Sequence, residues 1–219
     1  VQAALEEAAT KLDGQPVEVY GAGRTDSGVH ALGQVAHMDL QMDRPGKVAD
    51  AMNFHLRPHP IAVLKAEKVA DDFHARFGAT QRHYRYVVVN RRADLTVDRG
   101  LVWRVSSRLD AGKMHEAAQA FIGTHDFTTF RDTACQARTP IKTLNGFSVS
   151  RYGERIEFTC HAQSFIHRPV RSMVGSLVDV GRGKEPAGWI AEILAAADRT
   201  ACGPVAPAEG LYLERVDFD

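Results

Sequence analysis

The chain of 219 residues sets 27 Lys and Arg against 27 Asp and Glu, so its formal net charge is zero and offers no nucleic-acid attraction from net charge alone. With 44% hydrophobic and 25% charged residues, it has an ordinary globular composition and is long enough for one large domain or two small ones sharing a cleft. No apolar run approaches the length of a bilayer-spanning helix, and no signal-peptide pattern precedes the first helix.

Val1 to Leu12 predicts a helix, with Leu5, Ala8, Ala9 and Leu12 on one stripe. Strands are expected at 16–22 and 33–40, the second with Ala36, Met38 and Leu40 on one face. A helix over Lys47 to Leu56 is stopped ahead of Pro58, and strands follow at 61–70 and 79–90. Beyond a short strand at Leu101 to Val105, a helix runs from Asp110, its Met114, Ala117, Ala118, Phe121 and Ile122 at core-facing spacing. Strands at 141–150 and 155–162 form a hairpin around Tyr152-Gly153. A helix at roughly 166–181 carries Ile166, Val170, Met173, Val174, Leu177 and Val178 on one face, and Pro169 suits its first turn. A helix at 187–197 and a strand from Leu211 to Phe218 close the chain.

The second half thus reads β-α-β-β-α-β with one added helix. The first half matches if an opening strand precedes Val1, and since the chain does not begin with Met, a leading segment is expected there. The fold expected is α+β: two ferredoxin-like halves with mostly antiparallel sheets around a central cleft, 1–78 carrying the loop discussed next and 79–219 forming the other half. The Pro-rich stretch at 203–207 reads as a late loop.

Two features of composition leave their readings open. Cys135, Cys160 and Cys202 are odd in number and lack CxxC spacing, which argues for reduced thiols in a cytosolic protein and against a zinc ribbon. Twenty of the basic residues are Arg, seven of them between Arg76 and Arg104 against only Asp94 and Asp98. That segment fits a phosphate-facing surface and a merely solvated one equally well.

The most informative stretch is VEVYGAGRTDSGVH, residues 17 to 30. Its strand-like start and Gly21-Ala22-Gly23 imitate a dinucleotide fingerprint, yet position 26 holds Asp where the third glycine belongs. The loop also leads toward a strand, so no helix N-terminus awaits a pyrophosphate. Asp26, His30 and His37 have no metal-ligand spacing. What remains is an exposed Asx-turn or an active-site loop built on an acid.

The run GAGRTDSGVHALGQVAH, residues 21 to 37, resembles the central motif of the A-type tRNA pseudouridine synthases. DDFHARFGATQRHYRY at 71–86, DFTTFR at 126–131, FIHRPVRSMVGSLVDVG at 165–181 and AEGLYL at 208–213 resemble further blocks of that family, in its order. Pro169 stands where the family pattern leads one to expect methionine.

The resemblance implies isomerisation of uridine to pseudouridine at anticodon-arm positions 38 to 40 of tRNA, by a cytoplasmic homodimer that needs no cofactor or metal. It implies Asp26 as the catalytic carboxylate and Arg171 as the guanidinium that keeps it ionised, an effect of about 1–3 pKa units in general. It makes Tyr84 the stacking partner of the target base; Arg24 has the reach and the flat guanidinium to fill the vacated stack, and Leu211 reads equally as the cap against water or as a core leucine in a strand. Extruding a base costs a few kcal/mol, and stacking returns about 1–3 kcal/mol. The rival class is a non-catalytic module that binds structured RNA, for which Tyr84-Arg85-Tyr86 lacks the glycine-flanked aromatic pattern.

Overall fold

A computed structural model describes residues 1–41, 45–132, 139–166 and 169–218. In chain order the first elements are α1 (Gln2–Asp13), β1 (Tyr20–Gly21), β2 (His30–Ala31), β3 (Ala36–His37) and α2 (Pro45–His55). Next come β4 (Ala79–Asn90), β5 (Trp103–Val105), α3 (Ala111–Ala118), β6 (Gly123–Asp126) and β7 (Ile141–Tyr152). The last are β8 (Arg155–Ala162), α4 (Pro169–Gly181), α5 (Trp189–Ala196) and β9 (Leu211–Phe218). By contact the chain divides into one unit of 1–24 and 34–79 and another of 25–33 and 80–218.

The first unit packs α1 and α2 on a small core of Ala8, Ala9, Val17, Val48, Met52 and Leu56, with Leu5 and Leu12 against it. The helical stripe read from the sequence is the buried stripe of α1. The predicted strands are another matter. Of 16–22 and 33–40 only Tyr20–Gly21 and Ala36–His37 form a ladder, and 61–70 forms none. That last segment still turns Ile61, Val63 and Ala66 toward the core. Its backbone at Val63 is held by the Asn53 side-chain amide, at 2.7 and 2.8 Å, in place of a neighbouring strand.

In the second unit the order β9-β4-β8-β7 runs through a seven-stranded sheet, extended by β2 beyond β9 and β6 beyond β7. Numbered within a β-α-β-β-α-β unit, this is 4-1-3-2, the ferredoxin-like arrangement. The ladders β4–β8, β7–β8 and β6–β7 are antiparallel, while β2–β9 and β4–β5 are parallel. The expected α+β class with mostly antiparallel sheets therefore holds, but its opening strand is β4, not the segment at 101–105. Three residues there only flank β4, off the main path. The long β4 turns Tyr86 and Val88 into the main core and Val87 and Val89 into a second cluster on the other face.

Local chemistry explains the helix boundaries. Asp110 caps α3, its side chain accepting from Lys113 N–H at 3.1 Å. The α-helix ends at Ala118 and passes into a 3-10 turn over Gln119–Phe121. Its tighter winding keeps Phe121 buried but leaves Ile122, expected in the core, 38% exposed. Pro169 opens α4, as its fixed φ and missing N–H favour. Every residue of α4 is buried except Arg171.

β2 is short, and the close approach beside it depends on Gly33: a Cβ there would stand 2.4 Å from the Glu214 carbonyl oxygen. Gly33→Ala is expected to destabilise the protein by about 1–3 kcal/mol through overpacking. Urea denaturation should show this as a lower midpoint at unchanged m-value.

Candidate active site

Asp26 begins a tight turn. Its carbonyl accepts from Val29 N–H at 3.1 Å, and Gly28 has φ +83°, a left-handed conformation costly for other residues. The chain then enters β2, pairing His30 with Tyr212 and Ala31 with Leu213 of β9. Leu32 N–H donates to Leu213 O at 2.8 Å. The His30 ring stacks on Tyr212 with centroids 4.8 Å apart, and its Nε2 lies 3.0 Å from Gly100 O. A loop that begins like a phosphate cradle is thereby strapped to a sheet edge, and Asp26 is fixed just ahead of the strap.

Arg171, the third residue of α4, meets it. Its Nη1 donates to Asp26 Oδ2 at 2.9 Å, across 145 positions of sequence. The two side chains are only 15% and 16% exposed. Nε of the same guanidinium donates to Ala206 O at 2.8 Å. Two bonds from one planar fork fix its orientation. Scarce water leaves the attraction less screened than at a surface.

Tyr84, on β4, is partly buried against the main core, with Phe165 edge-on at 5.0 Å. Burial pushes its phenol up to about 12, and the charge of Asp26 adds to the rise. It is therefore a neutral ring at any working pH. Leu211 begins β9 and is buried in the same core. Arg24 is exposed and belongs to the first unit, two residues ahead of Asp26. His37 Nδ1 accepts from Ala75 N–H at 3.2 Å. Among the described residues no group of three His, Cys, Asp or Glu is arranged to hold a metal.

The Arg-rich segment is not one uniform surface. Arg82 is buried, Arg85 lies within ion-pair distance of Glu157 and Glu214, and Arg91 and Arg104 pair with Glu154 and Asp94. Arg76, Arg92 and Arg99 are exposed. Sequence reasoning missed the contact that Ala206 makes with Arg171, for which the prolines around it were the signal.

An α+β protein with an aspartate held by an arginine from a distant helix defines a class, and comparison with known proteins narrows it. A family model described as tRNA pseudouridine synthase matches residues 1–78 and 117–219. The chain is 73% identical over 218 residues to the tRNA pseudouridine synthase A of Hyphomonas neptunium, covering all of this chain and 88% of that protein. It is 64% identical to the enzyme of the same name from Maricaulis maris and 59% to that of Rhodopseudomonas palustris, covering 88% and 89% of their lengths. This chain belongs to the tRNA pseudouridine synthase family.

The raised pKa of Tyr84 has a consequence for stability. Between about pH 10 and 12 the unfolded chain releases this proton while the folded one keeps it, so stability falls as pH rises. Thermal midpoints measured over that range should fall less steeply for Tyr84→Phe than for the wild type.

Proposed function

We propose that this chain converts uridine to pseudouridine in the anticodon arm of tRNA, with Asp26 as the reacting carboxylate. The observation that carries the reading is the Asp26–Arg171 pair, 2.9 Å long and largely withdrawn from water. It occurs in a chain that relatives named for this reaction match from end to end. The reaction breaks N1–C1′ and joins C1′ to C5 of the same base. N1 gains a proton and C5 loses one, so the change is redox-neutral and calls for no cofactor.

Asp26 must be ionised whether it attacks C1′ or removes the 2′ proton, and the Arg171 guanidinium keeps it so. Arg171 also fixes where the carboxylate oxygens lie, which matters because small displacements in such steps are costly. Tyr84 stacks on the extruded base as a neutral ring. Arg24, exposed and flat, fills the gap the base leaves, and Leu211 keeps water from the detached uracil. Arg92 and Arg99 meet phosphates, which positions the tRNA without reading its sequence. The chain acts in the cytoplasm as a homodimer, each copy made of halves 1–78 and 79–219.

Asp26→Asn is expected to slow pseudouridine formation in an anticodon-arm transcript about a thousandfold or more, while tRNA Kd stays within about threefold. Chemical mapping of pseudouridine beside a binding assay checks both, and normal conversion by the variant would overturn the mechanism. Arg171→Lys keeps the charge but loses the fork, so kcat should drop by about ten- to a hundredfold at similar tRNA affinity.

A further inference from the structure

The Pro-rich stretch runs along α4 and touches Arg171. Gly203 N–H donates to Ser176 Oγ at 3.1 Å, and Ser176 Oγ donates in turn to Ser172 O at 3.0 Å. The approach is so close that a Cβ on Gly175 would lie 1.6 Å from the Pro204 carbonyl oxygen. Next, Ala206 bonds Arg171 twice: its N–H donates to the backbone carbonyl at 3.1 Å, and its carbonyl accepts from Nε at 2.8 Å. Pro207 O then accepts from the Tyr86 hydroxyl at 2.8 Å, with Tyr86 fully buried. Gly210 lies flat against the same ring, where a Cβ would come within 2.5 Å. On the Asp26 side, a Cβ placed on Gly28 would stand 3.2 Å from the Ala208 methyl.

The backbone from 203 to 210 is thus tied at Ser176, Arg171 and Tyr86, and it abuts the Asp26 turn. A free arginine side chain samples many rotamers, and its bond to Asp26 alone would fix one end of the fork. The Ala206 carbonyl fixes the other. That carbonyl is only as steady as the loop carrying it, and the neighbouring Pro207 carbonyl is moored by Tyr86.

We propose that residues 203–210 are a clamp that sets the Asp26–Arg171 geometry, and that Tyr86 is a positioning residue acting through Pro207 and Ala206. The proposal rests on the reading of Asp26 and Arg171 as the reacting groups. Tyr86 touches no reacting atom in this scheme. Its ring fills the core, and its hydroxyl moors the loop.

Tyr86→Phe tests this by keeping the ring and removing the mooring. The expected result is a kcat lowered about tenfold, with KM and tRNA Kd within about twofold of wild type. Ser176→Ala, which releases the other end of the loop, should lower kcat in the same way. Ile156→Val loosens the same core without touching the loop and should leave kcat unchanged. All are assayed well below their thermal midpoints, beside Asp26→Asn. If Tyr86→Phe and Ser176→Ala lower the thermal midpoint but not kcat, or Ile156→Val lowers kcat equally, the loop is only a core cover and the clamp is refuted. If Asp26→Asn itself stays active, it is the reading of the pair that fails. An inactive Asp26→Asn beside a fully active Tyr86→Phe refutes the clamp alone.

Discussion

A carboxylate and a guanidinium, each about five-sixths removed from solvent, have to meet at one point in this protein. Withdrawing either charge from water is expensive, and a buried charge left unpaired costs about 3–5 kcal/mol. The meeting is therefore a constraint on everything around it. Asp26 is held by a turn and a two-residue parallel ladder on the edge of a sheet. Arg171 is held at the start of a helix whose other residues are all buried.

That burial accounts for much of the second unit. One side of α4 gives Val170, Met173, Val174, Leu177 and Val178 to the main core with the sheet and α3. A surface helix would turn its remaining side to water. Here the small residues Ser172, Gly175 and Ser176 lie under the Pro-rich loop instead, and hydroxyl and backbone groups satisfy one another across the contact. A helix enclosed on all sides cannot roll or slide without losing core contacts. Arg171, near its first turn, is consequently well aimed.

Much of this was legible in the chain. Hydrophobic periodicity gave the helices, because a buried stripe must recur with the helical turn, and Asp110 and Pro169 marked two starts by their local chemistry. The hairpin and β9 followed from alternation and a glycine turn. Strands in the first unit were over-read: alternation shows that a segment is extended with one side covered, but not that a partner strand lies beside it. At 61–70 a side-chain amide holds the backbone. The role of β4 as the opening strand was obscure for a related reason, since neighbours across a sheet leave no mark in local sequence. The Asp26–Arg171 pair came from motif resemblance, as no local pattern links residues 145 positions apart. The loop contact with Arg171 runs through backbone atoms, which every residue has, and side-chain identity could not announce it.

Thr25 to Gly33 belong by contact to the second unit, although the residues on either side of them belong to the first. The backbone accordingly changes unit after Arg24, after Gly33 and again after Ala79. No single scission can release the second unit with its acid still attached. A fragment beginning at residue 80 would keep the arginine, the helix and most of the large sheet, but would leave the aspartate behind. A smaller chain holding both residues would have to be reached by rewiring the order of segments, splicing the nine-residue excursion onto the edge of β9, and not by trimming from an end.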